Sequence, residues 1–362
     1  MSNLLVWAVR GLLALCLQIC CPAARFQKEE SVRRDPAYAV YETYRYAYER
    51  YGYLFSYAEE TGGEGTVAVG NRSWQGEDGN AGAADREQES TGADGMKTEQ
   101  TGAGSALSAS SLARLHDYDY LMKQYFSVHA STTADRGLMK VEKLLGTDVR
   151  LTKNPDVPQI LIYHTHASET YADYGPQNPD ASVAGAGSYL AELLRQRGWN
   201  VIHDTTAYDR KEGKLERSRA YTYALEGVQG ILQEHPTIEV ILDLHRDGVS
   251  DSLRLVQEIQ GKPTAKIMFF NGTSQTPDGP IEYLPNPNRE ANLAFSFQMQ
   301  LKAAGMYPGF TRKIYLKGLR YNQHVRARSA LIEVGAQTNT YEEARNAMEP
   351  LAHILDQVLR GS

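Results

Sequence analysis

The sequence predicts an α/β fold with a mainly parallel central sheet flanked by helices, which occupies residues 112–362 of the 362-residue chain. After residue 112, short apolar runs of strand length alternate with longer amphipathic segments that often end at glycine or proline. Such alternation is typical of units in which helices connect parallel strands. The composition, 42% hydrophobic and 23% charged, is that of a globular protein.

Apolar periodicity and turn residues locate the individual elements of this domain. Strands are expected over residues 156–163, 201–203, 238–244, 266–270, 312–316 and 330–334. Helices are expected over residues 188–198, 215–235, 288–304 and 342–359. In mainly parallel sheets the ligand site lies beyond the carboxyl ends of the strands, so chemistry is expected where these strands end.

The net charge argues against a nucleic-acid-binding protein, and the positions of the cysteines exclude disulfides and cysteine-bound metal from the predicted domain. The net charge is −6, which does not suit a nucleic-acid-binding protein, because phosphate contacts need a clustered positive surface. The three cysteines are Cys16, Cys20 and Cys21, so the predicted domain has neither disulfides nor cysteine ligands for a metal. Any metal ion in the domain must be held by histidines and carboxylates.

The first 25 residues are predicted to be a signal-anchor or transmembrane segment. Leu4 to Ala24 is apolar apart from Arg10 and Gln18, and it reaches the length of about 20 residues that a membrane-spanning helix needs. A cleaved secretory signal and a retained single-pass anchor both fit, and a buried N-terminal helix is the structural alternative. The first two predict that the rest of the chain is extracytoplasmic.

Two segments connect this region to the predicted domain. Residues 26–60 are rich in tyrosine, with three- and four-residue spacings that predict a juxtamembrane amphipathic helix or a packing stripe; docking to a partner or to the membrane interface is an alternative. Residues 61–111 are rich in Gly, Ser, Thr, Glu and Ala, a composition that cannot bury enough apolar surface to order the chain. They are predicted to be a disordered linker.

Polar residues follow three of the predicted strands. His166 and Glu169 form an H-x-x-E pattern after the first strand, His245 ends another strand, and Glu333 emerges from a third. Two histidines and one carboxylate can bind Zn²⁺ and leave a position for water, while a second carboxylate accepts the proton of that water. The constellation predicts a hydrolytic zinc site, although each member alone also has a purely structural explanation.

Some assignments within this site stay open. His164 is an alternative ligand, because alternation along an extended strand would point it the same way as His166. Arg246 is predicted to stabilise the reaction's oxyanion or to bind a substrate carboxylate, although it can equally pair with Asp247. Asp243 is predicted to orient a ligating imidazole.

The motifs resemble those of the stage II sporulation protein P family of endospore-forming Bacillota. The resemblance is carried by Pro158 to His166 with Ser168 and Glu169, by Asp243 to Asp247, by Ile332 to Gly335, and by the stretches His116 to Tyr120 and Lys143 to Leu145. It covers roughly residues 113–360. The membrane segment and variable linker before the domain are also similar to that family.

The resemblance implies a membrane-anchored zinc N-acetylmuramoyl-L-alanine amidase with an amidase or zinc-exopeptidase-like fold, acting on peptidoglycan during engulfment at the septal or forespore-engulfing membrane. The family is also credited with endopeptidase cleavage of peptide cross-links, which is the second activity the resemblance allows. It implies His166, Glu169 and His245 as zinc ligands and Glu333 as the general base. The spacing of His166 and Glu169 is shorter than is usual in the wider amidase superfamily and closer to that of carboxypeptidases. Its implied partners are the sporulation transglycosylase, stage II protein D, and a membrane scaffold, stage II protein M. Two alternatives are a zinc peptidase acting mainly on cross-links and a non-catalytic wall-binding scaffold.

Overall fold

The computed structural model describes residues 109–175 and 178–361. The membrane segment 1–25, the tyrosine-rich segment 26–60 and nearly all of the linker 61–111 therefore lie outside the described residues. The first helix begins at Ala109, three residues before the boundary expected for the domain. Within the part of the chain that is described, no helix combines the length and apolar character needed to cross a membrane.

The helices and strands of the described residues are as follows. The helices are α1 (Ala109–Leu115), α2 (Tyr118–Tyr125), α3 (Val141–Gly146), α4 (Val183–Gln196), α5 (Ala220–Glu234), α6 (Arg289–Met306) and α7 (Tyr341–Arg360). Two 3₁₀ turns cover Pro179–Ala181 and Arg217–Arg219. The strands are β1 (Phe126–Val128), β2 (Ile160–Tyr163), β3 (Val201–His203), β4 (Arg210–Lys211), β5 (Lys214–Leu215), β6 (Val240–Asp247), β7 (Val256–Ile259), β8 (Lys262–Ala265), β9 (Ile267–Gly272), β10 (Gln275–Thr276), β11 (Gly279–Pro280), β12 (Ile314–Lys317) and β13 (Arg328–Ala336).

The central sheet has seven strands in the order β1-β12-β9-β13-β6-β2-β3. Every neighbouring pair in it is parallel except β9 and β13, which are antiparallel. The mixed α/β architecture with a mainly parallel sheet is therefore confirmed, but one antiparallel pairing divides the sheet into two parallel blocks. Strands β2, β6 and β13 run in the same direction, so their carboxyl ends lie at the same edge.

The predicted elements are found with shifted ends. Strand β3 matches the expected residues 201–203, whereas α4 begins at Val183, five residues before the helix expected from 188. Its start is fixed by Ser182, whose side chain accepts a hydrogen bond from the backbone of Ala184, as an N-cap residue does. The helix expected over 215–235 begins only at Ala220, because β5 and a 3₁₀ turn precede it.

Alternation along the strands gives the sheet two different faces. On one face, Leu242, Leu244 and Ile332 join the main core with residues of the helices α4, α6 and α7. On the other face lie the alternate residues of β6 and β13. Ile241 packs there against α5, and Leu331 packs against aromatic side chains. His245 and Glu333 belong to this second face, which we call the site face.

Gly187 in α4 packs against two histidine rings of the interior. A Cβ atom at this position would lie 2.6 Å from His164 Nε2 and 2.9 Å from His203 Nε2. Because these rings are hydrogen-bonded to each other, they have little room to move. The absence of a side chain at Gly187 is therefore required by the packing.

The Gly187→Ala variant is expected to lose about 1–3 kcal/mol of unfolding free energy, the usual cost of overpacking a core. Gly230→Ala is a matched control, since Gly230 also lies in a helix but a Cβ there would meet nothing within 4 Å. This control should gain up to about 1 kcal/mol from helix propensity. Urea unfolding measures both values, and equal stabilities for the two variants would contradict the packing described.

Candidate active site

Strand direction and register bring the predicted site residues together. His245 lies on β6 and is the direct register partner of Glu333 on β13. His166 and Glu169 lie in the turn that follows β2, which pairs with the other side of β6. The expectation that the site lies near the carboxyl ends of the strands is met, but His245 and Glu333 project from within strands onto the site face.

The H-x-x-E pattern forms a single hydrogen-bonded turn and no helix follows it directly. The backbone N–H of Glu169 donates to the carbonyl of His166 at 3.1 Å, which closes the turn between the two residues. Asp243 holds the start of the turn: its carboxylate accepts from the backbone N–H of Thr165 at 2.9 Å and from the Thr165 hydroxyl at 2.6 Å. The turn is thereby fixed to β6.

His245 lies at the centre of the cluster and is buried. Its Nδ1 is 3.8 Å from Glu169 Oε2, and its Nε2 is 2.9 Å from Asp243 Oδ1, although not in hydrogen-bond alignment. The rings of His166 and His245 are nearly perpendicular, with centroids 5.3 Å apart. Two imidazoles and a carboxylate therefore lie close together at the site face.

Burial and neighbouring charges set the protonation of these groups. Burial lowers the pKa of His166 to about 3, with smaller contributions from His245 and Arg217, so its imidazole is neutral, the form that binds metals. Burial also lowers the pKa of His245, but the carboxylates of Asp243, Glu169 and Glu333 outweigh it and the net shift is upwards. Burial raises the pKa of Glu333 despite the opposing effect of His245.

Three atoms of the cluster are buried with no hydrogen-bond partner in the described part of the chain. They are Nδ1 of His166, Nε2 of His245 and Oε2 of Glu333. A buried polar atom without a partner is costly, so such atoms need an explanation, and an ion or water that they bind is one. All three atoms belong to residues that the sequence predicted for the site.

The structure separates His164 from the other two histidines of this region. Its Nδ1 donates to the carbonyl of Leu244 at 3.0 Å, and its Nε2 is 2.9 Å from Nε2 of His203. Both ring nitrogens are thus in use away from the cluster. The expected alternation of His164 and His166 fails because the chain leaves the extended conformation after Tyr163.

The structure places Arg246 beside Glu169. Its backbone N–H donates to Glu169 Oε2 at 3.0 Å, while its guanidinium donates to the carbonyl of Thr170 at 2.7 Å and to the carbonyl of Asp247 at 3.3 Å. Arg246 therefore holds Glu169 in place. The contact predicted between its guanidinium and the oxyanion or a substrate carboxylate stays a prediction.

Two residues near the cluster were not predicted from the sequence. Arg217 Nη1 lies 3.6 Å from Glu169 Oε1, and the ring of Tyr221 lies 5.6 Å from that of His166 and 6.3 Å from that of His245. No motif marks either residue, because Arg217 lies in the turn before α5 and Tyr221 in the first turn of that helix. The available signal was their position at the start of a helix that covers the site face.

The cluster contains the donors that a zinc site needs. Over residues 109–175 and 178–361, no three His, Cys, Asp or Glu side chains stand in closed ligand geometry for a metal ion. His166, Glu169 and His245 nevertheless supply two nitrogens and an oxygen, with Glu169 and His245 only 3.8 Å apart and His166 Nδ1 without a partner. By residue type these three side chains fit zinc.

Fold and site together define a mixed α/β domain with a buried cluster of histidines and carboxylates near the carboxyl ends of the strands β2, β6 and β13. The family model described as Stage II sporulation protein P (SpoIIP) matches residues 68–356, which is most of the chain. The chain belongs to this family. The resemblance noted from the motifs is thereby confirmed.

The solved structures that match the chain include several N-acetylmuramoyl-L-alanine amidases. The CwlD amidase from Clostridioides difficile, solved with the GerS lipoprotein, is 15% identical with a TM-score of 0.37, covering 56% of this chain and 100% of its own. The CwlV catalytic domain from Bacillus (Paenibacillus) polymyxa var. colistinus is 13% identical with a TM-score of 0.34, covering 57% and 97%. AmiC2 of Nostoc punctiforme is 12% identical with a TM-score of 0.35, covering 57% and 97%. Such low values do not identify a function, and no protein with a curated description matches the chain.

Proposed function

We propose that this protein is a zinc-dependent peptidoglycan hydrolase that cleaves the amide between N-acetylmuramic acid and L-alanine during sporulation. One observation carries the proposal: His166 and Glu333 each have a buried atom without a partner, beside a contacting pair formed by His245 and Glu169. Membership of the stage II sporulation protein P family supports the sporulation context. Two histidines with two carboxylates are the residue types that zinc hydrolysis uses.

In this proposal His166, Glu169 and His245 hold the zinc ion. Zinc, when bound, lowers the pKa of a bound water towards about 7 and polarises the amide carbonyl. Glu333 accepts a proton from the attacking water and returns it to the leaving nitrogen of alanine. Its raised pKa suits both steps, because a carboxylate that titrates nearer neutrality can accept and then release a proton.

Other residues of the chain keep these groups in position. Asp243 is the partner that orients His245, and it also ties the His166 turn to β6 through Thr165. The backbone N–H of Arg246 fixes one oxygen of Glu169. Partners of this kind orient metal ligands and are needed for full metal affinity.

The membrane and partner assignments belong to the same proposal. The apolar segment 1–25 would anchor the chain, and the domain would act on the extracytoplasmic side, at the septal or engulfing membrane. Stage II proteins D and M would be its partners, as the family resemblance implies. These assignments rest on the sequence, since residues 1–25 lie outside the described part.

Mass spectrometry of digested peptidoglycan tests the proposed reaction. Purified sacculi are incubated with the metal-free full chain, with the chain plus zinc, and with the chain plus zinc and a chelator. The proposal predicts free stem peptides that begin with alanine, appearing only where zinc is available. Cut cross-links without such peptides would instead establish a peptidase, and binding to sacculi without any product would establish a wall-binding scaffold.

The Asp243→Asn variant is expected to bind zinc about 10- to 100-fold more weakly, which is the usual effect of losing a partner that orients a ligand. Its charge no longer stabilises His245, and one hydrogen bond to Thr165 weakens. Competition with a chromophoric chelator measures the affinity. Asp278→Asn, at an exposed turn, is the control for the charge change. Unchanged zinc affinity in Asp243→Asn would exclude the orienting role.

A further inference from the structure

We infer that Arg217 binds a negatively charged oxygen of the substrate beside the metal-binding cluster. The inference rests on the proposed function and adds a residue that makes direct contact with the substrate at that site. The oxygen belongs either to the tetrahedral oxyanion that develops during amide hydrolysis or to a carboxylate of the stem peptide. A guanidinium binds both by the same chemistry.

Arg217 stands at the boundary between the buried cluster and solvent. Its Nη1 is 3.6 Å from Glu169 Oε1, yet 34% of its side chain is exposed, against 7% for Glu169. The ring of Tyr221, four residues further along the chain, lies 5.6 Å from that of His166, so this segment borders both predicted ligands. The Arg217 side chain is therefore open to solvent beside the metal-binding cluster.

The Arg217 guanidinium retains its hydrogen-bonding capacity. A distance of 3.6 Å to Glu169 is too long for a hydrogen bond, and no other described residue accepts one from this side chain. A guanidinium carries five N–H donors. Arg246 differs from it, because two of its N–H groups already bond to carbonyl oxygens. Arg217 therefore has more unused donors for a ligand at the cluster.

The connection that carries Arg217 is built on the turn that carries His166 and Glu169. Asp209 accepts hydrogen bonds from the backbone and the hydroxyl of Ser168, which lies between the two predicted ligands. The backbone N–H of Glu216 then donates to the carbonyl of Asp209 at 2.8 Å. Arg217 is thus fixed relative to Glu169, as a group needs to be if it stabilises a transition state by preorganisation.

Tyr221 is a second residue that lies beside the metal-binding cluster near Arg217. It follows Arg217 by four residues, and its ring lies 5.6 Å from that of His166, so both residues border the cluster. Its carbonyl accepts from Asn322 Nδ2 at 2.8 Å, and its ring contacts the ring of Tyr321. Tyr321 and Asn322 have φ angles of 47° and 54°, a left-handed conformation that costs free energy and often occurs at functional sites. The substrate oxygen would lie between the Arg217 guanidinium and the side chains of Tyr221 and Tyr321.

Arg217→Gln and Arg217→Lys test the inference in the full chain, with Arg210→Gln as control. Arg210 is an exposed arginine of the same connection, so its replacement makes the same charge change away from the cluster. Two probes are used: a muropeptide substrate and a phosphinate analogue of N-acetylmuramoyl-L-alanine, which carries an anionic tetrahedral centre. Zinc affinity is measured for every variant.

Arg217→Gln is expected to lower kcat/KM about 10²- to 10³-fold, as the loss of one oxyanion donor does, with zinc affinity unchanged and partial recovery in Arg217→Lys. A loss in kcat and in phosphinate affinity identifies the developing oxyanion. A rise in KM with weaker muropeptide binding identifies a stem-peptide carboxylate. Both results support the inference.

Two results would overturn the inference. In the first, Arg217→Gln binds both probes as tightly as Arg210→Gln does. In the second, its loss of kcat/KM is matched by a loss of zinc affinity. The second would make Arg217 only a partner of Glu169. If the unaltered chain cleaves no amide, the proposed function fails, and binding of the two probes still decides whether Arg217 receives an anion.

Discussion

The Glu333→Gln variant is expected to lose amide hydrolysis by about 10²- to 10⁴-fold, the range typical for removal of a general base. Glutamine keeps the size of the side chain but cannot accept the proton of the attacking water. Because Glu333 is not among the three predicted ligands, zinc binding should be unchanged. Product release measured by mass spectrometry gives the rate, and competition with a chelator gives the zinc affinity.

Glu258→Gln is the control for this variant, since Glu258 is exposed on β7, away from the cluster. It should cleave peptidoglycan at the rate of the unaltered chain. A Glu333→Gln variant that retains full activity would remove Glu333 as the base. A variant that loses zinc together with activity would make Glu333 a ligand instead.

His166→Ala and His164→Ala are expected to fail in different ways. His166→Ala should weaken zinc binding by more than about 100-fold, because losing a ligand costs more than losing a partner of a ligand. The stability of its metal-free form should change little, since His166 Nδ1 has no hydrogen-bond partner among the described residues. His164→Ala should instead retain zinc and lose about 1–3 kcal/mol of unfolding free energy, because buried hydrogen bonds to Leu244 and His203 are lost.

Zinc titration and urea unfolding of the two metal-free variants measure these effects side by side. Each variant serves as the control for the other, since both remove one imidazole from the same short segment. The reverse result, zinc lost in His164→Ala and kept in His166→Ala, would assign the ligand role to His164 and reject the arrangement described.

Much of the site was predictable because its residues stand next to strong local signals. His166 follows the apolar run of β2, His245 ends that of β6 and Glu333 lies within that of β13. Strands β2 and β13 are the parallel neighbours of β6. The position of each residue along the chain therefore predicted its place at the sheet. The contacts of a side chain were less predictable, as Arg246 shows, because its guanidinium bonds to the carbonyl of Thr170 on another segment.

Features set by distant contacts were not predictable. Arg217 reaches Glu169 only because Asp209 and Ser168 join two segments about 40 residues apart, and no local pattern records that contact. The antiparallel direction of β9 relative to β13 could not be predicted from the sequence either, because an apolar strand has the same periodicity in parallel and antiparallel pairing. The β4–β5 hairpin was missed because Arg210–Leu215 is short, exposed and polar.

X-ray absorption at the zinc edge of the zinc-loaded full chain tests the central claim most directly. The proposed site predicts one zinc ion per chain, with nitrogen and oxygen scatterers at about 2.0–2.2 Å and no sulfur. His166→Ala should remove the bound zinc. The absence of zinc uptake, or a sulfur scatterer at about 2.3 Å that would point to the N-terminal cysteines, would contradict a zinc centre formed by His166, Glu169 and His245.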